Sequence, residues 1–383
     1  MIRPLPRSAA AASLREIEDG PRKAVRLAAC LAARARGLDD PWDPCLHGGE
    51  LAAAESAIAV LAPPGPASWG AAELGALYEA SVSKETRNRQ GTWFTPEPVA
   101  EWMIREAVPD GRCDCGNPEC GLQVMVLDPS CGAGIFLVAA ARRVARVYAA
   151  LMSGSDDPPP AALRFALPVA MEECVFGVDS DPGAVDAARA ACWLEAGGTR
   201  PATWMDDNII TGDTLAGDLP KPLAGRLDGP QPLVIAGNPP WRDKAAGAAP
   251  WIEERRHAGE TASRPSLDEF RLPGNGRLEG KLSSLYVYFW RWALWQALES
   301  RAAPGTVALI TPKSYLDSEA HSGMRAHMRR VAGEGWIVDL SPEGHQAPVS
   351  ARVFPGVQQP VCIGIFTTAA RQQEPAELEE NGT

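Results

Sequence analysis

The stretch Ala236-Gly-Asn-Pro-Pro-Trp241 carries the plainest chemistry in the chain. Asn238 has an amide oxygen that accepts hydrogen bonds. Pro239 keeps its backbone carbonyl but lacks an N–H. Pro239 and Pro240 make the turn rigid. Two acceptors held close together grip the two hydrogens of an –NH2 group. A nitrogen that is being methylated gains positive charge, and these acceptors stabilise that charge where it develops. In-line positioning supplies much of the remaining rate. No strong base is needed, because the proton leaves after the transfer. Trp241 offers a flat ring on which a planar base can stack. Taken alone, the four residues also fit a buried Pro-Pro turn with no chemistry.

Earlier in the chain, Val126-Leu-Asp-Pro-Ser-Cys-Gly-Ala-Gly-Ile-Phe136 reads as a strand, a tight glycine turn and a helix start. Gly132 and Gly134 permit positive φ and close approach of a ligand to the backbone. The helix N-terminus behind them offers N–H groups without internal partners. Such turns bind nucleotide-like cofactors at the carboxyl ends of parallel strands. A P-loop is excluded, since G-x-x-x-x-G-K-[ST] is absent. A dinucleotide fingerprint lacks its third glycine, Leu137 standing there, and its acid should lie far nearer than Asp179. Asp128 would repel a pyrophosphate but suits a cationic ligand. S-adenosylmethionine, with an ammonium, a sulfonium and no phosphate, is such a ligand. The turn by itself also fits a tight strand–helix connection that binds nothing.

Two further acids bear on that choice. Phe176-Gly-Val-Asp-Ser-Asp-Pro182 places Asp179 just past a second strand, where a carboxylate accepts both hydroxyls of a ribose. Asp181 reads as the helix N-cap before Pro182. Ile210-Thr-Gly-Asp-Thr-Leu215 puts Asp213 past a third strand, in reach of an adenine amino group. Singly, each acid is a capping residue. Three in order, each at a strand end, point to a nucleoside ligand.

These residues need a scaffold. From about residue 90, short apolar runs alternate with helical stretches. Strands are expected at 124–127, 175–178, 208–211, 233–236, 307–310, 336–340 and 361–366, and helices at 136–151 and 182–194. That alternation predicts an α/β domain with a mostly parallel sheet. Before it, 22–36, 50–62 and 71–81 read as helices. The expected layout is a helical N-terminal domain over 1–85 and a catalytic domain over 86–370. A substrate-side loop insertion occupies 242–280, and 371–383 is a disordered tail.

Composition narrows the class. Hydrophobic residues at 45% and charged residues at 22% suit a globular chain. Lys+Arg 37 against Asp+Glu 48 gives a net charge of −11, which does not draw the chain onto nucleic acid. A local basic surface or another module must supply that attraction. Nine cysteines at irregular spacings fit reduced thiols in a cytoplasm better than a disulfide framework. No apolar run is long enough to span a membrane, and the first twenty residues have no signal-peptide core.

Taken together the motifs resemble DNA adenine-N6 methyltransferases of the gamma arrangement, in which cofactor motifs precede the catalytic one. The likeness is to type IIG restriction-modification and BREX- or DISARM-type phage-defence methylases. Gly91-Thr-Trp-Phe-Thr-Pro96 resembles that family's N-terminal cofactor motif, G-x-[YFW]-[YF]-T-P. Leu285-Tyr-Val-Tyr-Phe-Trp290 resembles the helix after the catalytic loop. The stretch 307–316 resembles the fifth strand and its I-T-P-x-S-[YF] turn, and 353–363 the late motif before the final strand. The resemblance covers roughly 85–368. It implies the seven-stranded, Rossmann-like S-adenosylmethionine-dependent methyltransferase sheet, in the order 3-2-1-4-5-7-6 with the seventh strand antiparallel. It implies that Thr95, beside Pro96, contacts the methionine part of the cofactor.

With the residue reading above, the cofactor site is expected at Thr95, Pro96, Asp128, Ser130, Cys131, Gly132, Gly134, Phe136, Asp179, Ser180, Asp213 and Thr214. The catalytic site is expected at Asn238, Pro239, Pro240 and Trp241. The substrate is expected to be an adenine flipped out of DNA, in restriction-modification or phage defence. Ala133 stands where many relatives have Ser or Thr. The chain ends about fifteen residues past the last expected strand, where relatives continue into a target recognition domain. Either the recognition domain lies on another chain, a separate recognition or defence subunit being the expected partner, or this is a truncated product.

Weaker signals remain. Cys113, Cys115 and Cys120 could start a zinc site but lack an evident fourth ligand, so no metal is expected. The aromatic stripe Tyr286, Phe289, Trp290 and Trp292 reads as helix core. Basic groups in 83–89, 255–264 and 325–330 are candidate phosphate contacts, with 255–264 first. Two rival functions stay open. One is methylation of another amine, such as a protein glutamine, a ribosomal RNA base or cytosine N4. The other is a non-catalytic cofactor-binding subunit.

Overall fold

The computed structural model describes residues 7–39, 46, 48–61, 65–82, 95–108, 110, 117–198, 203–255, 264–274, 276–341, 353–354, 357 and 359–368. The motif residues 91–94, the cysteines Cys113 and Cys115, and the tail 371–383 lie outside the described residues.

Every expected strand forms. They are β1 (Met125–Asp128), β2 (Val175–Asp179), β3 (Ile209–Thr211), β4 (Leu233–Gly237), β5 (Gly305–Pro312), β6 (Glu334–Asp339) and β7 (Val361–Thr367). They make one sheet in the order β3-β2-β1-β4-β5-β7-β6. β1 to β5 run parallel to one another, and β7 is antiparallel to β5 and β6. This is the strand order, with an antiparallel seventh strand, that the resemblance implies. The central strands are buried along their length, as continuous Val/Ile/Leu runs covered on both faces require. Because β1 to β4 are parallel, Asp128, Asp179, Thr211 and Gly237 all end at one edge of the sheet.

Fourteen α-helices are described. The first four are α1 (Arg7–Arg15), α2 (Gly20–Ala35), α3 (Gly48–Leu61) and α4 (Ala71–Ser81). The next four are α5 (Glu97–Ala107), α6 (Ile135–Ser153), α7 (Pro160–Cys174) and α8 (Pro182–Glu195). Short α9 (Trp204–Asn208), α10 (Lys221–Leu227) and α11 (Pro250–Glu253) follow, then α12 (Leu285–Leu294), α13 (Ser314–Asp317) and α14 (Ser322–Val331). Helix α7 has no clear sequence signal, because Pro168 sits inside it and interior proline ordinarily breaks a helix.

The first four helices do not stand apart from the sheet domain. One continuous hydrophobic core runs from Leu14 and Leu27 through Leu77 to Leu137 and Val178. Polar contacts bind the same layers. Arg22 and Arg26 both pair with the buried carboxylate of Asp186 on α8, and Arg36 donates to the carbonyl of Leu194 at 3.1 Å.

The insertion after the catalytic turn is also packed. Ala249, Ile252, Leu267 and Phe270 are buried. Fully buried Arg291 on α12 anchors it, donating to Glu299 at 2.6 and 3.0 Å and to the carbonyl of Ser266 at 3.0 Å. A buried guanidinium is tolerable only when so paired. Burial pushes the Glu299 carboxyl up, but bonds from His327 and Arg291 outweigh it and hold it at about 2.

The glycine turn shows why its residue types are needed. Gly132 and Gly134 have φ of 52° and 84°. A Cβ on Gly134 would also stand 3.0 Å from the Cα of Ala188. Gly134→Ala is therefore expected to destabilise the fold by about 1–3 kcal/mol, read as a lower urea midpoint with an unchanged m-value.

Candidate active site

A cavity of about 400 Å³ opens at the sheet edge where the parallel strands end, within the usual range for small-ligand sites. Thr95, Asp128, Ser130, Cys131, Gly132, Phe136, Asp179, Ser180, Asp213, Thr214, Asn238 and Pro240 line it. Pro96, Gly134, Pro239 and Trp241 do not. Pro96 starts α5, and Gly134 starts α6.

Asp128 is 2% exposed, and its Oδ1 accepts the N–H of Ser130 at 3.0 Å. Burial pushes its carboxyl up to about 8. Gly237 on the neighbouring strand is what leaves room for it, since any Cβ there would overlap Oδ1. Asp179 is also pushed up by burial, to about 6. Its Oδ2 accepts the N–H of Gly132 and its Oδ1 that of Asp181, both at 2.9 Å. The carboxylate lines the cavity, and a carboxylate has more acceptor positions than these bonds use. Asp181 is the N-cap of α8, accepting from Gly183 at 2.9 Å.

The β3 loop is tied to the glycine turn. The Thr214 hydroxyl donates to the carbonyl of Pro129 at 2.7 Å, and Asp213 accepts from the N–H of Leu215 at 2.9 Å. Thr214 therefore braces two loops in addition to lining the cavity. The Cys131 thiol is buried and held well above its usual range, chiefly by desolvation, so it remains a neutral wall rather than a nucleophile.

The catalytic turn departs from expectation in two ways. First, Asn238 Nδ2 donates to Thr95 Oγ1 at 3.1 Å, across 143 residues. Thr95, expected to touch the cofactor's methionine part, lines the cavity and also bonds the Asn238 amide, tying the turn to the segment before α5. Thr95→Val is expected to lower turnover about tenfold, with Thr95→Ser near wild type, in single-turnover rates. Second, Trp241 is not a cavity wall. It is 3% exposed and meets Phe354 edge-on at 5.9 Å. Its buried indole N–H needs an acceptor, and the carbonyl of Ile310 on β5 supplies it at 3.1 Å. Trp241 thus anchors the turn to the sheet. Phe289, which the sequence reading placed in the helix core, lines the cavity together with Phe136 and Tyr78.

Other lining residues were not among the expected site residues. Gly75, Tyr78 and Glu79 come from α4, and Leu285 from the start of α12. They arrive through long-range packing. Arg242 had a signal, its place directly after the tetrapeptide. It is exposed at the cavity wall and forms no ion pair among the described residues. Of the basic group ranked first for phosphate contact, Arg255 pairs with Glu279 at 3.1 Å, and Arg264 donates to the carbonyl of Trp251 at 2.7 Å. Residues 256–263 lie outside the described residues.

The lining carries Glu79, Asp128, Asp179, Asp181 and Asp213 against the single cation Arg242, among the described residues. Asp128 forms no ion pair among them, and the buried Ser130 hydroxyl has no hydrogen-bond partner there. A cationic, phosphate-free ligand with polar groups fits this donor and acceptor set, and a pyrophosphate does not. No group of three His, Cys, Asp or Glu residues that could hold a metal occurs among the described residues.

The sequence model of the N-6 DNA Methylase family matches residues 71–266. Adenine-specific methyltransferase PglX of Streptomyces coelicolor (strain ATCC BAA-471 / A3(2) / M145) is 30% identical over 125 residues, which are 33% of this chain and 9% of PglX. The DrdV–DNA complex aligns at TM-score 0.53 and 20% identity, over 85% of this chain and 31% of that one. The type IIL restriction-modification enzyme MmeI, in complex with DNA, aligns at TM-score 0.52 and 16% identity, over 91% and 49%. At such identities the structural likeness is one of fold, and this chain spans a minor part of each of these proteins. The matched stretch begins in the helix that carries Tyr78 and runs through the acids of the cavity to Asn238 and the loop behind it; the chain belongs to the N-6 DNA Methylase family.

Proposed function

We propose that the chain transfers a methyl group from S-adenosylmethionine to the exocyclic N6 amine of adenine in DNA. The observation that carries this is the Asn238 amide, hydrogen-bonded to Thr95 at the wall of an acidic cavity. The cofactor, when bound, supplies a methyl group on a sulfonium. Asp128 balances its ammonium, and Asp179 takes the ribose hydroxyls with its remaining lone pairs. Asp213 accepts from the adenine ring's amino group, and the Ser130 hydroxyl gains a partner. On the substrate side, Asn238 Oδ1 and the Pro239 carbonyl hold the target amine and stabilise its growing positive charge. An adenine inside a duplex does not reach that turn, so the base is flipped out. Arg242 meets a phosphate beside it. A separate recognition or defence subunit supplies the sequence specificity and the basic surface that a −11 chain needs. The setting is restriction-modification or phage defence in the cytoplasm. Among the described residues no helix is long and apolar enough to cross a membrane.

The test is product analysis. The chain is incubated with methyl-deuterated S-adenosylmethionine and unmethylated DNA of mixed sequence, and the DNA is digested to nucleosides. Deuterated N6-methyladenine is expected by mass spectrometry, and Asn238→Ala is expected to lose it. Label in N4-methylcytosine, or in added protein or RNA instead of DNA, would overturn the assignment.

A further inference from the structure

We infer that Tyr78, on a helix outside the sheet, is a positioning residue of the cofactor site. The inference rests on the cofactor reading above. Helix α4 packs on α8 and turns Tyr78 toward the cavity. The Tyr78 hydroxyl donates to Asp181 Oδ1 at 2.6 Å. That same oxygen accepts the N–H of Gly183, so one atom caps α8 and receives Tyr78. The N–H of Asp181 in turn binds Asp179 Oδ1, and Asp179 Oδ2 takes the N–H of Gly132. A chain of bonds therefore runs Tyr78, Asp181, Asp179, Gly132. It links an N-terminal helix to the ribose-binding acid and then to the glycine turn.

Two features make the link specific. Gly183 has no room for a side chain, because the Tyr78 ring lies over the first turn of α8. Desolvation and the Asp181 bond hold the Tyr78 hydroxyl well above its usual range, so it is a donor at every working pH. Without that donor, Asp181 keeps its cap but loses its outer restraint, and the turn 179–183 is freer to move. Asp179 must then be re-ordered when a ribose binds, which weakens binding.

The test is calorimetric binding of S-adenosylhomocysteine to the full chain without DNA. Tyr78→Phe removes the hydroxyl and keeps the ring; it is expected to weaken binding about tenfold, the scale of one hydrogen bond to a charged group. Asp181→Ser keeps a capping oxygen for Gly183 but withdraws the longer, charged acceptor that Tyr78 meets; it is expected to match that loss, and the double variant to be no worse than either alone. Arg22→Ala cuts a different link between the same layers, the pairing with Asp186 away from the cavity. It is expected to lower the melting temperature and to leave affinity within about twofold. Wild-type affinity in Tyr78→Phe overturns the inference, and so does an equal loss in Arg22→Ala. Absence of binding by the wild-type chain overturns the cofactor reading itself, and the inference with it.

Discussion

Asn238→Ala is expected to lower the methyl-transfer rate by about 10³-fold, the scale seen when one preorganised transition-state contact is removed. The affinity for S-adenosylhomocysteine should stay within about twofold. The amide oxygen faces a neutral amine before transfer and a cationic one after it. Its contribution therefore grows along the reaction and appears in kcat rather than in substrate binding. Cofactor affinity is spared because the acids that bind it lie on β1, β2 and the β3 loop, while Asn238 follows β4. Single-turnover rates with saturating DNA test this. A loss below about tenfold would show that positioning alone carries the rate.

Asp128→Asn is expected to weaken cofactor binding by about 10–100-fold and to abolish a proton release that wild type shows. In the free protein burial pushes the Asp128 carboxyl up to about 8, against about 3.9 in an unfolded chain. The folded state therefore holds a proton that the unfolded state has lost. That contribution to stability is complete below about pH 4 and is lost as pH rises through about 8. Asp179, pushed up to about 6, acts with the same sign over a lower window. The melting temperature of the free wild type should fall from pH 6 to pH 9, and less steeply in Asp128→Asn. A bound cation favours the ionised carboxylate, so binding at pH 7 expels the proton. Calorimetry in two buffers of different ionisation enthalpy measures this. Equal heats in both buffers would sink the idea that Asp128 meets the cofactor's positive charge.

The two variants also separate the halves of the site. Asn238→Ala should bind cofactor and not transfer. Asp128→Asn should transfer at a near-normal rate once the cofactor is in large excess. A chain that merely bound the cofactor as a subunit would show the second effect and no turnover to lose in the first.

Much of this architecture was legible in the sequence, for a local reason. A strand, its turn and the next helix are neighbours in the chain, so the Val/Ile runs, Gly132, Gly134 and the strand-end acids mark them without knowledge of the rest. All seven strands and the cavity's acidic floor follow from such units. Helix α7 was not legible, because Pro168 contradicts local propensity and tertiary packing, chiefly on α6, sustains it.

The rest was decided by tertiary structure. Trp241 turned inward because Ile310 on another strand offered its indole an acceptor. The Asn238 amide found a partner in distant Thr95, and Tyr78 entered the cavity on a helix that no motif marks. The raised pKa of Asp128 needs burial that no residue type announces. Spacing along the chain determines which groups stand at the sheet edge. Hydrogen-bond partners and solvation depend on which distant segments close over that edge, and those exist only in the folded chain.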